Sequence, residues 1–170
     1  MLLIINRITI TAVKTLKIQT MRKFFLYLLI CLPAASFSQK ISHNDKTNEV
    51  TVDGVYSFKI ERSGCGFGMT DCHYDVFDTT GAKVIRINYR DFKSFVQRNA
   101  SNPEGIVRYF EFIFLASKTK AEIEFMGIKE EKLAKSIFKN NLIAGGKLND
   151  KAVEEFVLVH GTSFSEKSRY

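Results

Sequence analysis

Side chains able to do chemistry gather in Ser63–Asp75, where Cys65, Asp71, Cys72, His73 and Asp75 stand around Gly64, Gly66 and Gly68. Two thiols, an imidazole and two carboxylates can ligate a metal, exchange electrons or close a disulfide, and spacing separates these outcomes. Six residues lie between Cys65 and Cys72, whereas a zinc knuckle joins its thiolates across about two to four and needs a second Cys/His pair. No such pair follows, and Cys72 and His73, adjacent in a strand, would point to opposite faces. Redox motifs of the thioredoxin type keep two residues between their cysteines. A structural disulfide, Cys65 to Cys72, is therefore expected, with no metal and no cofactor. The glycines allow the positive φ angles of a tight ring. Closing a loop of about eight residues removes about 2.5 kcal/mol of unfolded-state entropy in the chain-entropy account. Phe67 and Met69, apolar residues at the tip, make this the candidate interaction loop.

Gly64-Cys-Gly66-Phe-Gly68 looks like a phosphate loop only on the surface, because a strand and not a helix N-terminus follows it. The histidines, His43, His73 and His160, fall in a polar lead-in, beside Cys72, and on an apolar helix stripe. Neither a Gly-x-Ser-x-Gly elbow nor a His-Glu-x-x-His motif occurs, and no residue is assigned a catalytic role. Arg86, Asn88 and Arg90 form a candidate polar face, suited to an acidic group or simply to a solvated sheet surface. Phe110, Phe112 and Phe114 form a ladder that either lines a pocket or is core beneath helices, and core is the expectation.

Met21–Gln39 sets the compartment. Arg22 and Lys23 make a positive n-region, Phe24–Leu32 an apolar h-region, and Ser36 and Ser38 put small residues at −3 and −1 of a cut before Gln39. Residues 21–38 are expected to be a signal peptide and 39–170 a single globular domain. Residues 1–20 are then an upstream extension or a long n-region. The apolar run is too short to span a bilayer and Pro33 interrupts it, so no permanent membrane anchor is expected after processing. Ile30 stands where a lipidation signal before Cys31 needs a small residue. The expected location is periplasmic or extracellular, where thiols oxidise.

Removing the leader changes the charge. Of 25 Lys and Arg, five (Arg7, Lys14, Lys17, Arg22, Lys23) precede residue 39, and none of the 18 Asp and Glu do. The remainder carries 20 basic against 18 acidic residues, a net of about +2 in place of +7. Without a surviving basic cluster, nucleic acid is not an expected partner.

Around this loop the periodicities predict the elements. Glu49–Val52 and Val55–Glu61 flank Asp53-Gly54, a type I′ hairpin signal. His73–Phe77 and Lys83–Arg90 flank Asp78-Thr79-Thr80-Gly81, and Ile85, Ile87 and Tyr89 alternate with Arg86, Asn88 and Arg90. Residues 39–48 read as a flexible lead-in, and Phe92, Phe95 and Val96 as a short helical turn within Asp91–Gly105. Ile106–Leu115 is apolar on both faces and reads as a central strand covered on both sides. In Ala121–Met126, Ile123 and Phe125 face inward and Glu122 and Glu124 outward. The period then lengthens. Leu133, Ala134, Ile137 and Phe138 stripe a helix over Lys129–Asn141, and Ala144-Gly145-Gly146-Lys147 breaks it. Val153, Phe156, Val157 and His160 stripe a second helix, capped by Asn149 or Asp150 and ended by Gly161.

Strands first and helices last imply an α+β fold: a mainly antiparallel sheet of about six strands, followed by a C-terminal helical hairpin packed on one face. Function then reads as non-catalytic binding, the partner being an envelope protein, a carbohydrate or a small ligand. An inhibitor or immunity-type protein acting on a cell-wall enzyme, and an envelope enzyme of unrecognised type, are the alternatives.

Overall fold

The computed structural model describes residues 39–65, 72–125, 127 and 129–167. Seven strands, β1 (Ile41–Asn44), β2 (Glu49–Val52), β3 (Val55–Ser63), β4 (His73–Phe77), β5 (Lys83–Lys93), β6 (Ile106–Phe114) and β7 (Thr119–Glu124), form one sheet. Every neighbouring pair is antiparallel and spatial order equals chain order, β1 to β7. Turn chemistry enforces this meander. Asp53 and Gly54 both take positive φ, 52° and 82°, as a two-residue hairpin requires. Asp78 Oδ1 accepts from Thr80 N (2.8 Å), Thr80 Oγ1 (2.6 Å) and Ala82 N (3.0 Å), fixing the β4–β5 turn.

Register aligns the apolar residues into rows across one face. Tyr74, Ile87, Phe112 and Ala121 are successive cross-strand partners, as are Val76, Ile85 and Phe114. All seven are fully buried, and a fully buried aliphatic or phenyl side chain contributes about 1.5–3 kcal/mol. Helix α1 (Glu130–Lys139) lies over β1 and β3, and α2 (Asp150–His160) over β7. Leu133, Ala134 and Ile137 of α1, with Ala152, Val153 and Phe156 of α2, close the core. Phe156 meets Phe112 and Phe114 at ring distances of 5.5 and 6.0 Å, so the phenylalanine ladder is core and not a pocket wall. No described helix is long and apolar enough to cross a membrane.

Four features depart from the sequence expectations. Residues 39–48 are no loose lead-in: Ile41–Asn44 pairs with Val52–Glu49 as a seventh strand, its turn held by Asn44 Oδ1 accepting from Lys46 N at 2.9 Å. The α+β fold with two C-terminal helices on the sheet holds, but the break between those helices is not a plain loop. A two-strand ribbon, β8 (Ile143–Ala144) and β9 (Lys147–Leu148), separates them, and its tip docks on the β4–β5 turn through Thr79 N to Gly146 O (2.9 Å). Gly146 has φ +77°, and a Cβ there would lie 2.4 Å from Thr79 Cγ2, so only glycine fits. Thirdly, β5 runs on to Lys93, leaving only Phe95–Gln97 as a 3₁₀ turn, with Phe95 and Val96 outside the core. Finally, the helices cover only one side of β6, whose Tyr109, Glu111 and Ile113 belong to the other face.

Candidate functional site

That second face carries the polar chemistry of the domain. Strand alternation places Glu61, Asp75, Arg86 and Lys120 in one cross-strand row with Ile113, and Ser63, His73, Asn88, Glu111 and Glu122 in the next. Five strands at about 4.8 Å spacing make each row about 19 Å long.

Carboxylates lie inward in these rows and cations lie over them. Asp75, 6 % exposed, accepts from Arg86 Nε (2.9 Å), Arg86 Nη2 (3.1 Å) and Lys83 Nζ (2.6 Å). Burial pushes its carboxyl up, but the hydrogen bonds and charges of Arg86 and Lys83 outweigh burial and hold it below the ordinary carboxylate range. Glu111 Oε2 accepts from Asn88 Nδ2 at 3.1 Å and meets the Arg90 guanidinium at 3.4 Å, while Lys120 Nζ stands 3.5 Å from Oε1. There too burial raises the carboxyl, and Asn88, Arg90 and Lys120 bring it below its usual value. Both groups are therefore ionised at neutral pH. They act as staples between strands and not as proton donors.

Arg86, Asn88 and Arg90 thus share a face, but they serve two centres. Arg86 spends its fork on Asp75, whereas Asn88 and Arg90 converge on Glu111. The carboxylates went unassigned in the sequence, although Glu111 carried a signal: it is the one charged residue within Tyr109–Phe114, otherwise an apolar run.

Glu122 corrects the expectation that it faces solvent. It does point away from the helices, yet it is fully buried, because the chain after α2 folds back over it. Its Oε2 accepts from two consecutive amides, Phe164 N (2.9 Å) and Ser165 N (2.7 Å), and Phe164 stacks on Tyr109 with ring centres 5.5 Å apart and planes 8° apart. Burial, reinforced by the nearby Glu122 and Glu111 charges, raises the Tyr109 hydroxyl above its ordinary value.

At one end of the polar face, Cys65 and Cys72 are joined as a disulfide, Cα atoms 4.4 Å apart. Both sulfurs are consumed, so neither is a thiolate ligand. Among the described residues, no group of three or more His, Cys, Asp or Glu side chains is placed to hold a metal ion. Cys72 is buried and its carbonyl accepts from Tyr89 N at 3.2 Å, which ties the loop to β5, while Cys65 is exposed. Phe67 and Met69 lie outside the described residues. His73 stands opposite Asn88 in the register. The other histidines are elsewhere. His43 belongs to β1 with its side chain 3 % exposed and Nδ1 3.1 Å from Asp45 Oδ1, and His160 packs on Phe156 at 4.5 Å.

Set against protein-family models, curated proteins and solved structures, the chain matches none of them.

Proposed function

We propose that this chain is a small exported binding domain, which recognises its partner without catalysis through the β3–β4 loop and the polar row leading away from it. The observation that carries the reading is the Cys65–Cys72 bond. It ties a short loop to the middle of a stiff sheet, and thiol oxidation persists mainly outside the cytosol. A tethered loop loses less entropy on binding than a free one, which is how a rigid scaffold gains affinity. The ionised, cation-capped state of Asp75 and Glu111 supports binding over acid–base chemistry, since a general acid needs a carboxyl raised towards neutral pH. The partner belongs to the cell envelope: a protein, a carbohydrate or a small ligand.

Two measurements test this. The intact mass of natively exported material is expected to begin at Gln39 and to lack two hydrogens. Retention of residues 1–38, or two free thiols, overturns the export reading. Residues 39–170, immobilised and exposed to an envelope fraction, are expected to retain a partner that Phe67→Ala/Met69→Ala fails to retain at an unchanged melting temperature. Equal capture by that variant removes the loop from the mechanism. A captured cell-wall enzyme that loses activity on binding selects the inhibitor form of the proposal.

A further inference from the structure

On the helix side of the domain, the end of β7, one face of α1 and His160 at the end of α2 line a groove of about 850 Å³. Its floor is Ile123, the register partner of the buried Phe110, and Phe125, half-buried against Tyr89 and Phe110 at 5.4 and 5.3 Å. Its wall is one face of α1. Lys132, Lys135 and Lys139 recur at intervals of three and four residues, so their ammonium groups stand in file along about 10 Å of helix. His160 stands at the far end, and Lys139, Asn140 and His160 also border a second hollow of about 510 Å³ that is lined by Lys151 and Glu155.

Charge balance in the first hollow is uneven. Glu124 is the carboxylate in its lining, against three lysines. Lys135 shares its charge with Glu131 at 2.6 Å outside the lining, whereas Lys139 has no ion-pair partner among the described residues. An apolar floor beneath a file of ammonium groups is complementary to one kind of molecule, a chain that is greasy along its length and anionic at its head. A compact polyanion leaves the floor unused, and a neutral lipid leaves the lysines unused.

We infer that this groove binds a single-chain anionic amphiphile. The acyl chain lies on Ile123 and Phe125, and the carboxylate or phosphate head is held by Lys135 and Lys139. The inference needs only the folded domain and stands apart from the loop and from export.

Isothermal titration of residues 39–170 with dodecanoate, dodecyl phosphate and dodecyl maltoside, each below its critical micelle concentration, tests it. Both anions are expected to bind saturably at one per chain, and the tighter of the two names the head group. Octanoate is expected to bind at least tenfold more weakly than dodecanoate, because each methylene laid on an apolar floor contributes about fourfold. Lys135→Gln/Lys139→Gln replaces two exposed side chains, so its melting temperature is expected to be unchanged while its affinity for the anions falls about tenfold. Ser136→Trp, which puts bulk into the wall, is expected to abolish binding. Absence of saturable binding, equal affinity for dodecyl maltoside, or an unaltered affinity in the lysine variant overturns the inference.

Discussion

Asp75→Asn probes the staple that joins β4 to β5. The carboxylate receives three charge-assisted hydrogen bonds, at 2.6, 2.9 and 3.1 Å, while almost fully out of water. Such bonds contribute more than neutral ones, about 1.5–3 kcal/mol each when the partners are buried. Here the partners are not buried: the side chains of Lys83 and Arg86 are 34 % and 39 % exposed and recover water once released. Screening and that recovery cut the sum to about 2 kcal/mol, which for a domain of this size lowers the melting midpoint by about 6–10 °C. The pH dependence follows from the direction of the shift. The folded carboxyl lies below its ordinary value of 3.8, so on acidification the unfolded chain takes up the proton first. The contribution is therefore complete above the ordinary value and is lost as pH falls through the folded one. In thermal melts followed by circular dichroism, the gap between native protein and variant is expected to stay constant from about pH 7 to pH 5 and to narrow below about pH 4. A midpoint within about 1 °C of the native protein at pH 7, or a gap that widens in acid, refutes the reasoning.

Three further outcomes follow from the same geometry. Cys65→Ser is expected to lower stability by about 2.5 kcal/mol, and reductant is expected to bring the native protein to the same midpoint; equal midpoints with and without reductant contradict a stabilising bridge. Gly146→Ala is expected to lose about 2–3 kcal/mol, since the added Cβ meets Thr79 at 2.4 Å in a left-handed backbone, whereas Gly145→Ala, with open space around it, loses about 1 kcal/mol. Matching losses in denaturant titration reduce the docking of this ribbon to backbone strain alone. Glu122→Ala frees two amides held at 2.9 and 2.7 Å, so hydrogen exchange at Phe164 and Ser165 is expected to quicken at least tenfold with the β4 and β5 amides unchanged. Unchanged exchange at those two amides means that the segment is held by Phe164 stacking and not by the carboxylate.

Legibility along this chain tracks how local the deciding interaction is. Asp53-Gly54 names its own turn, because both positions must take positive φ, and the period-two and period-3.6 patterns name β3, β5, β6, α1 and α2 because each buries one face of its own residues. The disulfide is equally local, since spacing alone disfavours the competing chemistries. β1 is different. Ile41–Asn44 offers little apolar alternation of its own, and becomes a strand because Glu49–Val52 presents a free edge four residues later. Its His43 is buried by α1, which arrives about ninety residues further on.

The staples and Glu122 mark the limit. In a strand, alternation tells which face a residue takes but not whether that face is wet, because cover comes from chain that alternation does not see. Glu111 and Asp75 face outward by pattern and are screened by the long side chains of Lys83, Arg86, Arg90 and Lys120, which lie over them with their heads in water. Glu122 goes further, into full burial, through residues 161–165 beyond α2, whose composition is that of an ordinary surface tail. What turns that tail into cover is the reversal at Gly161, where φ is +39° and the helix ends. Past that point, Phe164 reaches Tyr109 and two amides reach one carboxylate oxygen. An outward-facing acid on an edge strand, followed by a glycine-terminated helix and an aromatic residue three positions on, is therefore a pattern in which burial of the acid should be tested before the face is assigned to solvent.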